Sequence, residues 1–224
     1  MEKAKKRDYL PILMAVTAIG ITVTAIVFKQ LFLNILPLYI SLFVWMFQSK
    51  LSRYAFLVGA VNALLYSFFY FRSHLYVLAI YAIVFSFVMQ VSSYFLWKRR
   101  PSGKSTIFRT LSKKQIILGL LVILAVWVVI AFFLSKTNSQ HQFLDIFLTI
   151  LGIVGTLLCM LAYAEYVPIS ILTGVVDLIL SFVMMLDNKA QSTYFIFNIY
   201  ALICRFIAMK NMINKIKKQR EELK

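Results

Sequence analysis

The chain has 224 residues, of which 62% are hydrophobic and 14% charged, and its formal net charge is +16. Soluble domains run near half apolar with about a quarter of their residues charged, so this composition excludes an ordinary soluble domain. The positive charge would point to nucleic acid in a soluble protein, but here almost all of it lies between or beyond long apolar runs, as in a membrane protein.

A hydrocarbon core of about 30 Å takes about 20 apolar residues to cross. Eight such stretches are predicted, nearly end to end: 11–28, 31–48, 54–71, 75–97, 115–134, 143–163, 167–186 and 192–212. Backbone polar groups in lipid must be satisfied internally, so each stretch is a helix. The leader Met1–Tyr9 is polar and mostly basic, and the apolar run after it is too long for a cleavable signal core. Placing the N-terminus inside and alternating leaves 19 Lys and Arg in inner segments and 4 in outer ones. This makes both termini cytoplasmic and the protein a multi-pass component of the cell membrane. Trp45 and Trp97 are then expected near the inner interface, where amphipathic rings are favoured. Cys159 and Cys204 fall inside spans without disulfide or metal-ligand spacing and read as small core hydrophobes.

Gly59-Ala60-Val61-Asn62 returns as Gly174-Val175-Val176-Asp177, 115 residues later. The basic stretch Lys98–Lys104 separates the spans into two groups of four. Aligning the two glycine motifs gives a leader and extra transmembrane helix over 1–30 and a first three-helix repeat over 31–97. A basic loop, connector helix and outer loop follow over 98–142, then a second three-helix repeat over 143–212 and a basic tail over 213–224. The predicted fold is an all-α polytopic membrane protein with parallel repeats in a three-plus-one-plus-three order, preceded by one added helix.

Enzyme signatures are absent: there is no HExxH, GxSxG, P-loop or paired-cysteine motif. His74 and His141 fall in predicted outer loops without ligand spacing, so neither a catalytic residue, a metal site nor a cofactor is expected. The polar residues inside spans are the informative set. An ionisable residue near midspan costs at least about 2.5–3.5 kcal/mol on insertion scales, so Asp177 needs a partner or a function. Asn62 and Tyr66 are spaced i, i+4 and share a helical face, as do Thr173 and Asp177. Two such faces meeting between repeats would form a polar pocket at the midplane. The plainer alternative is that Asn62 and the threonines only hydrogen-bond across helices, at roughly 0.6 kcal/mol each.

Tyr54-x4-Gly59-x2-Asn62-x3-Tyr66, Leu75-Tyr76, Met89-Gln90 and Trp97-Lys98 resemble the first repeat of the PnuC-type nicotinamide riboside transporters. Leu144-Asp145-x3-Thr149, Tyr166-Val167 and Asn198 resemble the second. The resemblance implies a SWEET-like fold and facilitated diffusion of nicotinamide riboside or a related vitamin precursor, trapped inside by phosphorylation. Same-family carriers of thiamine, riboflavin or deoxynucleosides are the alternatives it carries. Where nicotinamide riboside members hold a tryptophan pair, this chain has Ser170 and Thr173; Thr156 stands for a glutamine and Asp177 for an asparagine. Ring stacking would then come from aromatics such as Tyr66 or Phe182, and the Asp177 carboxylate would favour a cation.

The expected site is thus Asn62, Tyr66, Gln90, Thr156, Ser170, Thr173, Asp177 and Asn198, with a small-molecule substrate and the lipid bilayer as partners and no nucleic acid. A homo-oligomer is compatible with this reading. The rival from another class is a non-transporting membrane sensor or assembly subunit, in which the polar residues pair among themselves and leave no cavity.

Overall fold

The computed structural model describes residues 9–72, 74, 76–134 and 142–222. The leader before Tyr9, Leu75, Lys136, His141 and the last two residues lie outside that set, as does the side chain of Asp145. Eight helical rods run where the sequence places eight spans. They are α1 (Leu10–Val27), α2 (Phe32–Ser49), α3 (Tyr54–Arg72), a fourth rod made of α4 (Tyr76–Tyr81), a π-helical segment (Ala82–Phe87) and α5 (Val88–Arg99), then α6 (Lys113–Leu134), α7 (Gln142–Met160), α8 (Tyr166–Asp187) and α9 (Ser192–Glu222). Five of these rods meet length and hydropathy criteria for crossing a membrane; α2, α6 and α7 have 18, 22 and 19 residues.

Local chemistry sets the helix ends. Pro11 sits in the first turn of α1 and Pro168 in that of α8, where a missing N–H costs nothing. Three helices close with a residue in the left-handed region followed by a backbone bond reaching back over the last turn. The residues are Lys29, Leu51 and Ala162, at φ 52°, 52° and 61°. The reaching-back bonds run from Gln30 N–H to Ala25 O (2.9 Å), Ser52 N–H to Phe47 O (3.0 Å) and Tyr163 N–H to Leu158 O (2.8 Å). The fourth rod departs from the simple helix predicted for it. Its π-helical turns add width between Tyr81 and Val88, a feature that often marks function.

Six rods form a ring. α2 packs on α3, α3 on the π segment and α5, α5 on α7, α7 on α8, α8 on α9, and α9 back on α2. α1 lies outside on α2 and α9, and α6 packs on α7 with its aliphatic side chains exposed to the lipid. One core cluster joins α1, α2 and α9 through Ile21, Leu38, Leu42, Tyr200 and Cys204. The hydroxyl of Tyr200 donates to Leu42 O at 3.0 Å.

The second cluster closes the basic end of the ring. Trp97 is 2% exposed. It meets Phe56 at 4.7 Å, Phe108 at 5.3 Å and Tyr166 at 6.5 Å between ring centres, and its indole N–H donates to Cys159 O at 2.8 Å. Trp97 is therefore a core residue rather than the interfacial anchor expected from its position. The basic segment after it is not a slack linker either. It makes a small hairpin, β1 (Pro101–Ser102) with β2 (Ser105–Thr106). Arg53 N–H donates to Lys104 O, and Arg109 pairs through its backbone with Ala162 and Ala164. Leu111 N–H donates to Glu165 Oε1 at 2.8 Å. α9 runs on past its apolar part to Glu222, so most of the predicted tail is helix; Asn211 donates to Ser49 O and Lys215 to Ser102 O. Partial burial, with Lys218 alongside, lowers the pKa of the Lys215 ammonium.

Candidate functional site

The site is built on two glycines. At Gly59 on α3 a Cβ would lie 2.8 Å from Cδ of Gln90, which comes from α5. At Gly174 on α8 a Cβ would overlap Nη1 of Arg205 and lie 2.8 Å from its Cδ, and Arg205 comes from α9. In each case the absent side chain leaves a seat for a long polar group of the next helix in the ring. The two seats share one spacing: Gly59 and Gly174, Asn62 and Asp177, and Gln90 and Arg205 are each 115 residues apart.

What occupies the seats differs. Arg205 Nη2 is 3.3 Å from Asp177 Oδ2, and the guanidinium carbon lies 4.4 Å over the Trp45 ring. A midspan carboxylate needs a compensating partner, and here Asp177 has one. Asn198 supports the same point, its amide donating to Asp177 O at 3.3 Å. In the first half the matching Asn62 is neutral; its amide N–H donates to Ser41 Oγ at 2.8 Å, leaving buried Oδ1 without a partner among the described residues. Gln90 has no hydrogen bond among the described residues.

Three cavities meet at Gln90. One, of about 180 Å³, runs toward the basic end, bounded by Trp45, Phe56, Thr156, Ser170, Thr173 and Arg205, among others. Its floor, Phe56, Cys159 and Tyr166, rests on the Trp97 cluster. A second, of about 300 Å³, is bounded by Gly59, Asn62, Tyr66, Tyr70, Tyr81 and Ser86. The third, about 480 Å³, lies between α5 and α7, against Tyr81, Phe85, Thr149 and Thr156. Tyr66 stacks on Tyr70 at 5.8 Å, and Tyr81 on Phe85 at 5.1 Å.

Six of the eight predicted site residues thus line connected space: Asn62, Tyr66, Gln90, Thr156, Ser170 and Thr173. Asp177 and Asn198 are not among the residues bounding these cavities; Asp177 pairs with Arg205, and Asn198 bonds the Asp177 backbone carbonyl. Arg205 itself, Trp45 and Tyr81 were not among the predicted site residues. The signal for Arg205 was in the sequence, since it is a cation well inside a predicted span and stands 115 residues after Gln90. Phe182, offered as a stacking ring, is 44% exposed and packs on Phe195 at the outer surface.

The hydroxyl wall has a defined polarity. Thr156 donates to Gly152 O, Ser170 to Val167 O, Thr173 to Ser170 O and Ser93 to Met89 O, at 2.7–2.8 Å. Each hydroxyl proton is engaged by its own helix, so these oxygens face the cavity as acceptors. Donors on the lining include the Gln48 and Gln90 amides, the Arg205 guanidinium and the hydroxyls of Tyr66, Tyr70 and Tyr81.

Comparison with known proteins agrees with this architecture. A solved structure described as the vitamin B3 transporter PnuC superimposes with a TM-score of 0.74 at 16% identity, over 94% of this chain and 91% of that one. No curated protein sequence matches the chain. A family model described as nicotinamide mononucleotide transporter matches residues 31–214, the six-helix ring with its connector, and by that match the chain belongs to the nicotinamide mononucleotide transporter family.

Proposed function

We propose that the chain carries nicotinamide riboside or a related vitamin precursor across the cell membrane by facilitated diffusion. The observation that carries this reading is the convergence of three cavities on an unpaired Gln90 inside the six-helix ring. A sensor or assembly subunit would pair its polar groups and leave no such space. Ribose hydroxyls donate to the acceptor wall of Thr156, Ser170 and Thr173, and Gln90 meets the acceptor or donor of a ring carboxamide. Tyr66, Tyr70 and Tyr81 offer flat faces in place of the absent tryptophan pair.

The charge split of 19 to 4 puts the basic end, with both termini, in the cytoplasm. The two triplets, 31–97 and 143–212, act as parallel repeats that rock about the seats at Gly59 and Gly174. In this arrangement the Trp97 cluster shuts the cytoplasmic exit and must part for release. No coupling group is needed, because trapping inside the cell maintains the gradient.

The test is uptake of labelled nicotinamide riboside by proteoliposomes holding the purified chain. Entry should stop when the inner and outer concentrations match, and Gln90→Ala should slow it at least about tenfold, as expected when one buried polar contact to substrate is lost. Folded protein that carries no ribosylated pyridine at all would overturn the reading.

A further inference from the structure

We propose that Arg205 is the specificity-determining residue of this lumen and selects a ring solute that presents a carboxylate there. The inference rests on the reading that the lumen is the substrate path. Arg205 is the only cationic side chain lining the three cavities among the described residues. The residue is 8% exposed, and its Nε–H is buried without an acceptor among the described residues. Through the part of the side chain that bounds the first cavity, the guanidinium charge reaches a ligand there, and a carboxylate would answer it with a charge-assisted contact.

Geometry decides which charge the ligand meets. Asp177 engages Nη2 and is not among the residues that bound the three cavities. Trp45 covers one face of the guanidinium. What bounds the cavity is the edge of this cation, beside the Gln90 amide. A guanidinium fork fits a planar carboxylate. A single cation already shared with Asp177 is a poor match for a doubly charged phosphate, which points to the smaller anion. The acceptor wall of Thr156, Ser170 and Thr173 requires donors on the same ligand, such as sugar hydroxyls. The class is therefore a hydroxylated ring compound bearing one carboxylate. The cation preference expected from Asp177 alone is reversed, because Arg205 bounds the first cavity and that carboxylate does not.

Two probes isolate the group in question: nicotinic acid riboside, with a ring carboxylate, and nicotinamide riboside, with a carboxamide in its place. Initial uptake rates of each are measured in proteoliposomes with the full chain. Wild type should favour the carboxylate compound about tenfold, the scale of one charge-assisted contact over a neutral one. The double variant D177N/R205Q gives the second seat the uncharged pair of the first, so no carboxylate is stranded, and it should lose that preference. R205K keeps the charge and should keep the preference in reduced form. Equal rates for the two probes in wild type would overturn the role of Arg205 while leaving the transport function standing. A preference that persists in folded D177N/R205Q would do the same. Uptake of neither riboside by folded wild type would overturn the transport reading itself, and this inference with it.

Discussion

The two glycine seats hold different chemistry at matching positions. Gly59 receives Gln90 beside Asn62, all uncharged, while Gly174 receives Arg205 beside Asp177, an ion pair of a buried guanidinium over an indole with a half-buried carboxylate. The shared spacing shows what the architecture needs: close approach of two helices where a long polar side chain crosses between them. The difference shows what it leaves free, which is the charge presented to the lumen. The first seat keeps its amide unpaired and available; the second ties its cation to Asp177.

That contrast predicts unequal costs of truncation. Arg205→Ala leaves the partly exposed Asp177 carboxylate without its ion partner, and losing a charge-assisted contact of this kind costs about 1.5–3 kcal/mol, less than a fully buried pair would. Gln90→Ala breaks no hydrogen bond and should cost under about 1 kcal/mol. Thermal unfolding of the detergent-solubilised protein would show a large drop for the first and a small one for the second. Equal drops would mean that the Asp177 contact carries no energy and that the seats are alike in all but sequence.

The glycines themselves come next. Adding a methyl at Gly174 drives it into a guanidinium held between Trp45 and Asp177, whereas at Gly59 it meets a Gln90 side chain that no hydrogen bond restrains. Overpacking costs about 1–3 kcal/mol where the neighbour cannot move. Gly174→Ala should fall in that range and Gly59→Ala below it. Gly59→Ala should nonetheless slow uptake, because the displaced amide leaves the point where the cavities meet.

The sequence made the eight rods legible, because a hydropathy run of the right length has one structural solution in lipid. It also made six of the lining residues legible, since polar groups inside such runs have few places to go. Arg205 was harder: it lies inside a span and so outside the topology count, and its pairing with Asp177 depends on α8 and α9 lying side by side, which only the ring order fixes. The π-helical turns at Ala82–Phe87 have no composition to announce them. The role of Lys98–Lys114 was hidden because basic, proline- and glycine-bearing segments look like solvated loops, and the backbone bonds that clamp this one are invisible to side-chain pattern.

That clamp joins the two halves, and its strongest single link is Trp97. Trp97→Phe keeps an aromatic ring against Phe56 and Phe108 but removes the N–H that reaches Cys159 O across the halves. Cys159 O keeps a second donor in Ala162 N–H, so the loss should be about 1–2 kcal/mol, one hydrogen bond plus some packing. If the halves part at this end during transport, the same variant should also change the uptake rate, in contrast to an equally destabilising change in the α1 cluster. Identical rates for the two variants would detach the Trp97 cluster from gating.

The smallest effect separates the two turns that enter the seats. Leu51 and Ala162 both occupy the left-handed region, at φ 52° and 61°, a conformation costing a non-glycine residue about 1–2 kcal/mol. Both are buried at 3% exposure, but they bury very different side chains. Ala162→Gly relieves that strain and gives up one methyl, about 0.8 kcal/mol, plus the added freedom of the unfolded chain, up to about 1 kcal/mol; these nearly cancel, and the melting temperature should barely move. Leu51→Gly gains the same relief but loses a leucine packed in the Trp97 cluster, about 1.5–3 kcal/mol of burial. Its net cost should be about 1 kcal/mol. A stabilised L51G would mean that backbone strain outweighs the cluster, so that the basic end is less firmly closed than its packing implies.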